Sequence, residues 1–157
     1  MIKAQSVGIS TMCKIDRERF AVAFVTSTTI NVRVYTFTKT AGVLVSQDHQ
    51  INCSMAPTKM FMFAESNGIN LFYDGQGNIV HHKINLKFST ATGTYITGSS
   101  ILHTISNITN FISAIPLNNE RFCIAYKNSG ILYACVISNN YTGAGTAVNT
   151  GVSTYYG

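Results

Sequence analysis

Arg19-Phe20-Ala21-Val22-Ala23-Phe24 returns 102 positions later as Arg121-Phe122-Cys123-Ile124-Ala125-Tyr126. Every position keeps its chemical type, and a glutamate, Glu18 or Glu120, precedes both copies. Half that shift, 51, falls on Asn70-Leu71-Phe72-Tyr73-Asp74, a weaker copy that is still an apolar strand. Gly42 moves by the same 51 to Gly93, and residues 43–51 then fall without gaps on 94–102. The segment from Gly145 to Gly151 supplies a third copy, one residue out of step. Recurrence at a fixed period of about 20–50 residues is the mark of a repeat architecture. The chain therefore reads as one all-β domain, 1–157, built from three tandem four-stranded antiparallel repeats at approximately 6–56, 57–107 and 108–157. The alternatives are a pseudo-threefold barrel of trefoil type and a β-sandwich.

Within the first repeat the strands fall at 6–12, 19–25, 30–37 and 43–51. The third alternates with period two, Ile30, Val32 and Val34 on one side and Asn31, Arg33 and Tyr35 on the other. The second sets Phe20, Val22 and Phe24 against Ala21 and Ala23, a division that predicts cover on both faces, one of them close. Asp74-Gly75-Gln76-Gly77-Asn78 and Lys127-Asn128-Ser129-Gly130 carry the Gly and Asn that tight hairpin turns require. A turn centred near Ser129 predicts that Cys123 and Cys135 face each other across the third hairpin, either as a disulfide or, more simply, as reduced thiols packed as small apolar groups.

Composition narrows the function classes. Only 11% of the 157 residues are charged while 46% are hydrophobic, which is neither a disordered composition nor that of a typical charged soluble domain. The net charge of +5 reflects six acids rather than many bases, and the eleven lysines and arginines are scattered along the chain. Nucleic-acid binders concentrate such charge on one face, so nucleic acid is disfavoured as a partner. Residues 1–8 lack the apolar run of a secretory signal, and no stretch approaches the length of a membrane span.

Four-stranded antiparallel units of this length, with the pattern Glu-Arg-Phe-x-(Val/Ile)-Ala-aromatic, a hairpin turn, an apolar strand and a Gly-Thr-x-(Ile/Val) segment, resemble the blades of β-propeller repeat proteins of the bacterial surface and of phage tails and fibres. The resemblance implies a non-enzymatic structural or adhesion role in a virion or extracellular setting, with other copies of the chain or neighbouring virion proteins as partners. It implies as an alternative a carbohydrate-binding propeller lectin with a glycan ligand. Propellers close with about four to eight blades, so three repeats predict association, most simply two chains in a six-bladed ring.

The candidate chemistry is sparse. His81 and His82 are adjacent on a strand, hence on opposite faces, and cannot chelate one ion; His49 and His103 lie far off in sequence. Asp74-x-Gln76-x-Asn78 alternates oxygen ligands as a calcium loop does, but carries one carboxylate and no closing Glu, and a hairpin turn accounts for the same residues. No carboxylate pair or activated cysteine emerges, so neither an enzyme nor a cofactor or metal is expected. Candidate contact residues are Tyr73, Asp74, Gln76, Asn78, Tyr155 and Tyr156. Glu18, Arg19 and Phe20, with Glu120, Arg121 and Phe122, form the structural repeat, and the Glu-Arg placement predicts an ion pair recurring in each unit. The sequons at Asn52, Asn107 and Asn140 are those expected by chance in a chain so rich in Asn, Ser and Thr.

Overall fold

A computed structural model describes residues 8–40, 42–46, 48–65, 68–89, 93–118, 120–139 and 148–153, the last segment by its backbone alone. Among them there is no helix, and the strands form three antiparallel sheets in chain order, none closed into a barrel. The first contains β1 (Ser10–Lys14), β2 (Arg19–Thr26), β3 (Thr29–Thr38), β4 (Gly42–Val45) and β5 (His49–Asn52). The second is β6 (Met60–Glu65), β7 (Gly68–Gly75), β8 (Asn78–Ser89) and β9 (Gly93–Ile105). The third is β10 (Asn110–Pro116), β11 (Arg121–Asn128), β12 (Ile131–Ser138) and β13 (Val148–Ser153). The second and third are meanders in which sequential strands pair, and the first keeps the same order through β4 with β5 returning to β3, so the threefold repeat exists in space.

The central hairpins fix the alignment. Their two-residue turns are Ser27-Thr28, Gln76-Gly77 and Ser129-Gly130, with positive φ at Ser27, at Gln76 and Gly77, and at Ser129 and Gly130. The first and third turns are 102 residues apart, as the sequence requires, whereas the second lies 49 beyond the first rather than 51. Arg19 therefore corresponds to Gly68, not Asn70. A slip of two leaves every side chain on its expected face, which is why the weaker copy still reads as a strand. The spacing of 51 does hold at Gly42 and Gly93, which open β4 and β9 at φ of 69° and 77°, a region that favours glycine.

Three other expectations change. β1 begins at Ser10 rather than at residue 6, and Ser6 and Val7 lie outside the described residues. The first sheet's fourth strand is split: β4 pairs with the C-terminal half of β3 and β5 with its N-terminal half. At the break the Val34 N–H donates to Ser46 Oγ at 2.8 Å and the Ser46 N–H to the Val34 carbonyl at 2.9 Å, so the backbone stays satisfied. Cys123 pairs with Val136, and Cys135 with Ile124. The turn encloses two residues instead of centring on one, and this single-residue slip puts the cysteines on opposite faces, both as free thiols.

The predicted Glu–Arg ion pair is also replaced. Arg19 Nε donates to Asp16 Oδ2 at 2.8 Å, and Asp16 also accepts the Glu18 N–H at 2.9 Å. At the matching corner of the third sheet stands Asn118, which accepts the N–H groups of Glu120 at 3.0 Å and Arg121 at 2.9 Å. Around both corners the backbone bonds coincide: Phe37 N–H donates to the Glu18 carbonyl and Asn139 N–H to that of Glu120, at 2.7 and 2.8 Å. What recurs is a side-chain oxygen folding the entry to the second strand. The glutamates contribute their carbonyls.

The sheets stack face to face through two cores. Ala21, Ala23, Ile30, Val32 and Val34 of the first sheet pack on Met60, Met62, Ile69, Leu71 and Ile84 of the second, with Tyr73 and Leu86 at the margins. The second sheet's reverse face, with Phe72 and Ile79, packs on Phe111, Phe122, Ile124, Tyr126 and Ile137 of the third. The aliphatic seam is close because one side is alanine; the other is aromatic, Phe72 lying 5.1 Å from Phe122 and Phe61 5.1 Å edge-on to Phe111. Ala23 is wholly buried against the second sheet, so Ala23→Leu is expected to lower stability by about 1–3 kcal/mol through overpacking, read as a shift of the urea midpoint at constant slope.

Candidate functional site

Two clefts open where the sheets meet. The inner one, about 520 Å³, lies where the first strands of the three sheets converge: β1 gives Met12, Cys13 and Lys14, β6 gives Met62, Phe63 and Ala64, and the end of β10 gives Pro116, with Leu117 and Asn118 beyond it. Its lining carries three sulfur side chains, Met12, Cys13 and Met62, together with the polar Lys14 and Asn118. Burial pushes the Cys13 thiol up to about 12, which disfavours the nucleophilic thiolate.

The outer cleft, about 480 Å³, sits on the rim between the second and third sheets, walled by the Gln76-Gly77 turn, the connection before β6 and the connection between β9 and β10. Asp74 and Gln76 line it together with Met55, Thr58, Lys59 and Asn110. The Asp74 carboxylate is committed to the loop: it accepts the Thr58 N–H at 2.7 Å, the Lys59 N–H at 2.8 Å and the Thr58 hydroxyl. Lys59 Nζ reaches Asn110 Oδ1 at 3.2 Å, and the Ile108 N–H donates to the Gly77 carbonyl at 2.8 Å. These bonds tie three loops into one wall.

The candidate contact residues part company here. Asp74 and Gln76 belong to the cleft, while Asn78 Nδ2 donates to the Gln76 carbonyl at 3.3 Å and closes the hairpin turn. Tyr73 is no contact residue: it is buried on the opposite face, 5.6 Å from the His82 ring, because neighbours on a strand point to opposite sides. Tyr155 and Tyr156, and the sequon at Asn140, lie outside the described residues. Among the structural-repeat residues, Phe20 stacks on Tyr35 at 4.8 Å, Phe122 is buried, Arg19 lies 3.5 Å over the Phe88 ring, and Glu18, Glu120 and Arg121 are exposed.

The histidines divide as their adjacency predicts. His81 faces the third sheet, its ring 4.2 Å from Phe72, with Nε2 2.9 Å from Asn70 Oδ1. His82 faces the first sheet. The pairing of β8 with β9 sets His103 directly across from His81, rings 5.4 Å apart, and His103 Nε2 donates to the Ser138 carbonyl at 2.9 Å. That meeting is invisible without the register. His49 Nε2 bonds Ser99 Oγ at 2.8 Å across the first seam. Burial depresses His81 to about 3, with the neighbouring His103 and His82 adding to it, and depresses His82 to about 4. A further cluster that the sequence did not disclose joins Glu65, ion-paired with Lys83, to Asn139, whose Nδ2 donates to the same carboxylate at 2.7 Å.

Among the described residues no three His, Cys, Asp or Glu side chains are gathered to hold a metal ion, and no helix is long and apolar enough to cross a membrane. Models of protein families, curated proteins and solved structures give no match to the chain.

Two buried neutral imidazoles make the fold sensitive to acid. Their folded-state values lie below the ordinary 6.5, so the unfolded chain takes up protons first as pH falls. Their contribution is whole above about pH 6.5 and declines as pH drops toward 4. Between pH 7 and 5, urea unfolding is expected to lose on the order of 1–3 kcal/mol. The double substitution His81→Leu/His82→Leu is expected to flatten that slope.

Proposed function

We propose that the chain is a non-enzymatic structural or adhesion module of the propeller type, a component of the tail, fibre or capsid surface of a phage or other virion. It acts by rigid display: stacked sheets form the platform and one rim presents loops to a neighbour. The observation that carries this reading is the outer cleft, whose one carboxylate, Asp74, is spent on bracing the loops rather than held free for acid–base work. The buried histidines support it, being locked in ring stacks and neutral near pH 7, and so do the low charge and the tandem repeat.

A second reading, a lectin, is favoured by the same cleft, where Gln76, Lys59 and Asn110 stand beside the exposed Met55 side chain. Polar groups beside an apolar surface suit a sugar ring.

Immunogold labelling of purified particles, combined with a glycan array of the isolated chain, separates the two. Label at one fixed position on the particle with a silent array is the expected result. Unlabelled particles, together with a specific glycan signal that Gln76→Ala abolishes, would overturn the structural role in favour of the lectin.

A further inference from the structure

The register gives each sheet two non-equivalent faces, and the order of stacking never varies. The face bearing Ala21 and Val34 in the first sheet, and Phe72 and Ile79 in the second, looks toward the next sheet along the chain. The opposite face, with Ile69 and Leu71 in the second sheet and Phe122 and Ile124 in the third, looks back toward the previous one. Two faces are left over: the backward face of the first sheet and the forward face of the third. No described residue covers either.

Residues 102 apart show what these leftover faces are built to do. Phe122 and Tyr126, on the backward face of the third sheet, are buried, while their counterparts Phe20 and Phe24 are only partly so. Ala114 is 2% exposed and its counterpart Met12 69%. On the forward side, Val34 is 0% exposed and Val136 44%, while Ala23 is buried and Ala125 is not. These side chains have kept the character of a seam and lack the other half; the exceptions are Arg33, in the place of buried Cys135, which pairs with Asp48 and lies 5.0 Å over the Phe24 ring, and Lys127, in the place of buried Val25. Rings are already ordered on the first sheet, Phe20 lying 4.8 Å from Tyr35 and 5.7 Å from Phe37, with Val43 and Val45 exposed beside them. The third sheet offers small side chains, Cys123, Ala125 and Ala134, where the first sheet's covered forward face has Ala21, Ala23 and Val32. Bulky and small are the two shapes that interdigitate at native packing density.

We propose that these faces are the two halves of one seam and that a second copy of this chain supplies the missing half to each. The contact is head to tail, the backward face of one copy's first sheet against the forward face of its partner's third. Closed sheet rings have about four to eight blades, and six is the one multiple of three in that range, so two copies close through two identical seams. The matching of faces rests on their equivalence, the count of two rests on the propeller-type reading proposed above, and neither depends on the adhesive role.

The test uses Val45→Arg on the first sheet and Val136→Arg on the third, both at exposed positions, with circular dichroism checking that each variant is folded. Native mass spectrometry of the unaltered chain is expected to show twice the mass of one chain, and each variant alone one chain. Mixing isotopically labelled V45R with V136R is expected to restore a pair containing one of each, since one seam then joins two unaltered faces. A unaltered chain that stays single would overturn the proposal, as would V136R that remains paired, which signals like faces meeting. Failure of the two folded variants to pair would overturn the head-to-tail arrangement, and an unbounded polymer of the unaltered chain would overturn closure.

Discussion

Burial of one sheet's face against the next is the constraint on which everything else in this molecule depends. A lone four-stranded meander has no core of its own and must cover its apolar sides with other sheets. Here the cover is directional. Alanine and valine of the first sheet allow the second to approach closely, and the second presents phenylalanine and histidine to the phenylalanines of the third. With so few charged side chains to keep faces apart, neighbouring sheets become the natural solvent for one another.

Polar groups are fitted around that demand. Where the second seam would otherwise leave Lys83 in apolar surroundings, Glu65 pairs with it and Asn139 reaches the same carboxylate from the third sheet. The imidazoles of His81 and His103 are stacked as flat apolar surfaces, each with one ring nitrogen bonded. Such groups fix the relative setting of two sheets more sharply than hydrocarbon can, since each bond has one geometry.

Much of the fold was legible because the period-two alternation of Ile30 to Tyr35 and the recurrence of Arg19-Phe20 at Arg121-Phe122 report directly on burial, and burial is what the sheets are for. Register was harder. Whether Cys123 opposes Cys135 or Val136 turns on one residue in a loop, and Ser129-Gly130 is compatible with either until its φ angles are known. The rim cleft was half legible: Asp74 and Gln76 stand out in a turn, but Lys59 comes from a connection without pattern and Asn110 from the first residue of β10, while Tyr73, next to Asp74 in sequence, points to the opposite face and is buried. The corner acceptor has a signal in the sequence, since Asp16 and Asn118 share the 102-residue spacing, but it is weaker than that of the glutamates, which are identical in both copies.

The corner has a consequence of its own. Asp16 and Asn118 offer the same oxygen to the same backbone, one carrying a full negative charge and the other none. Shape is thereby uncoupled from electrostatic sign at the entry to the second strand of the first and third sheets. A lineage of such units can recolour its surface potential, unit by unit, to suit whatever it abuts, while the backbone template from which all of them are cast stays as it was.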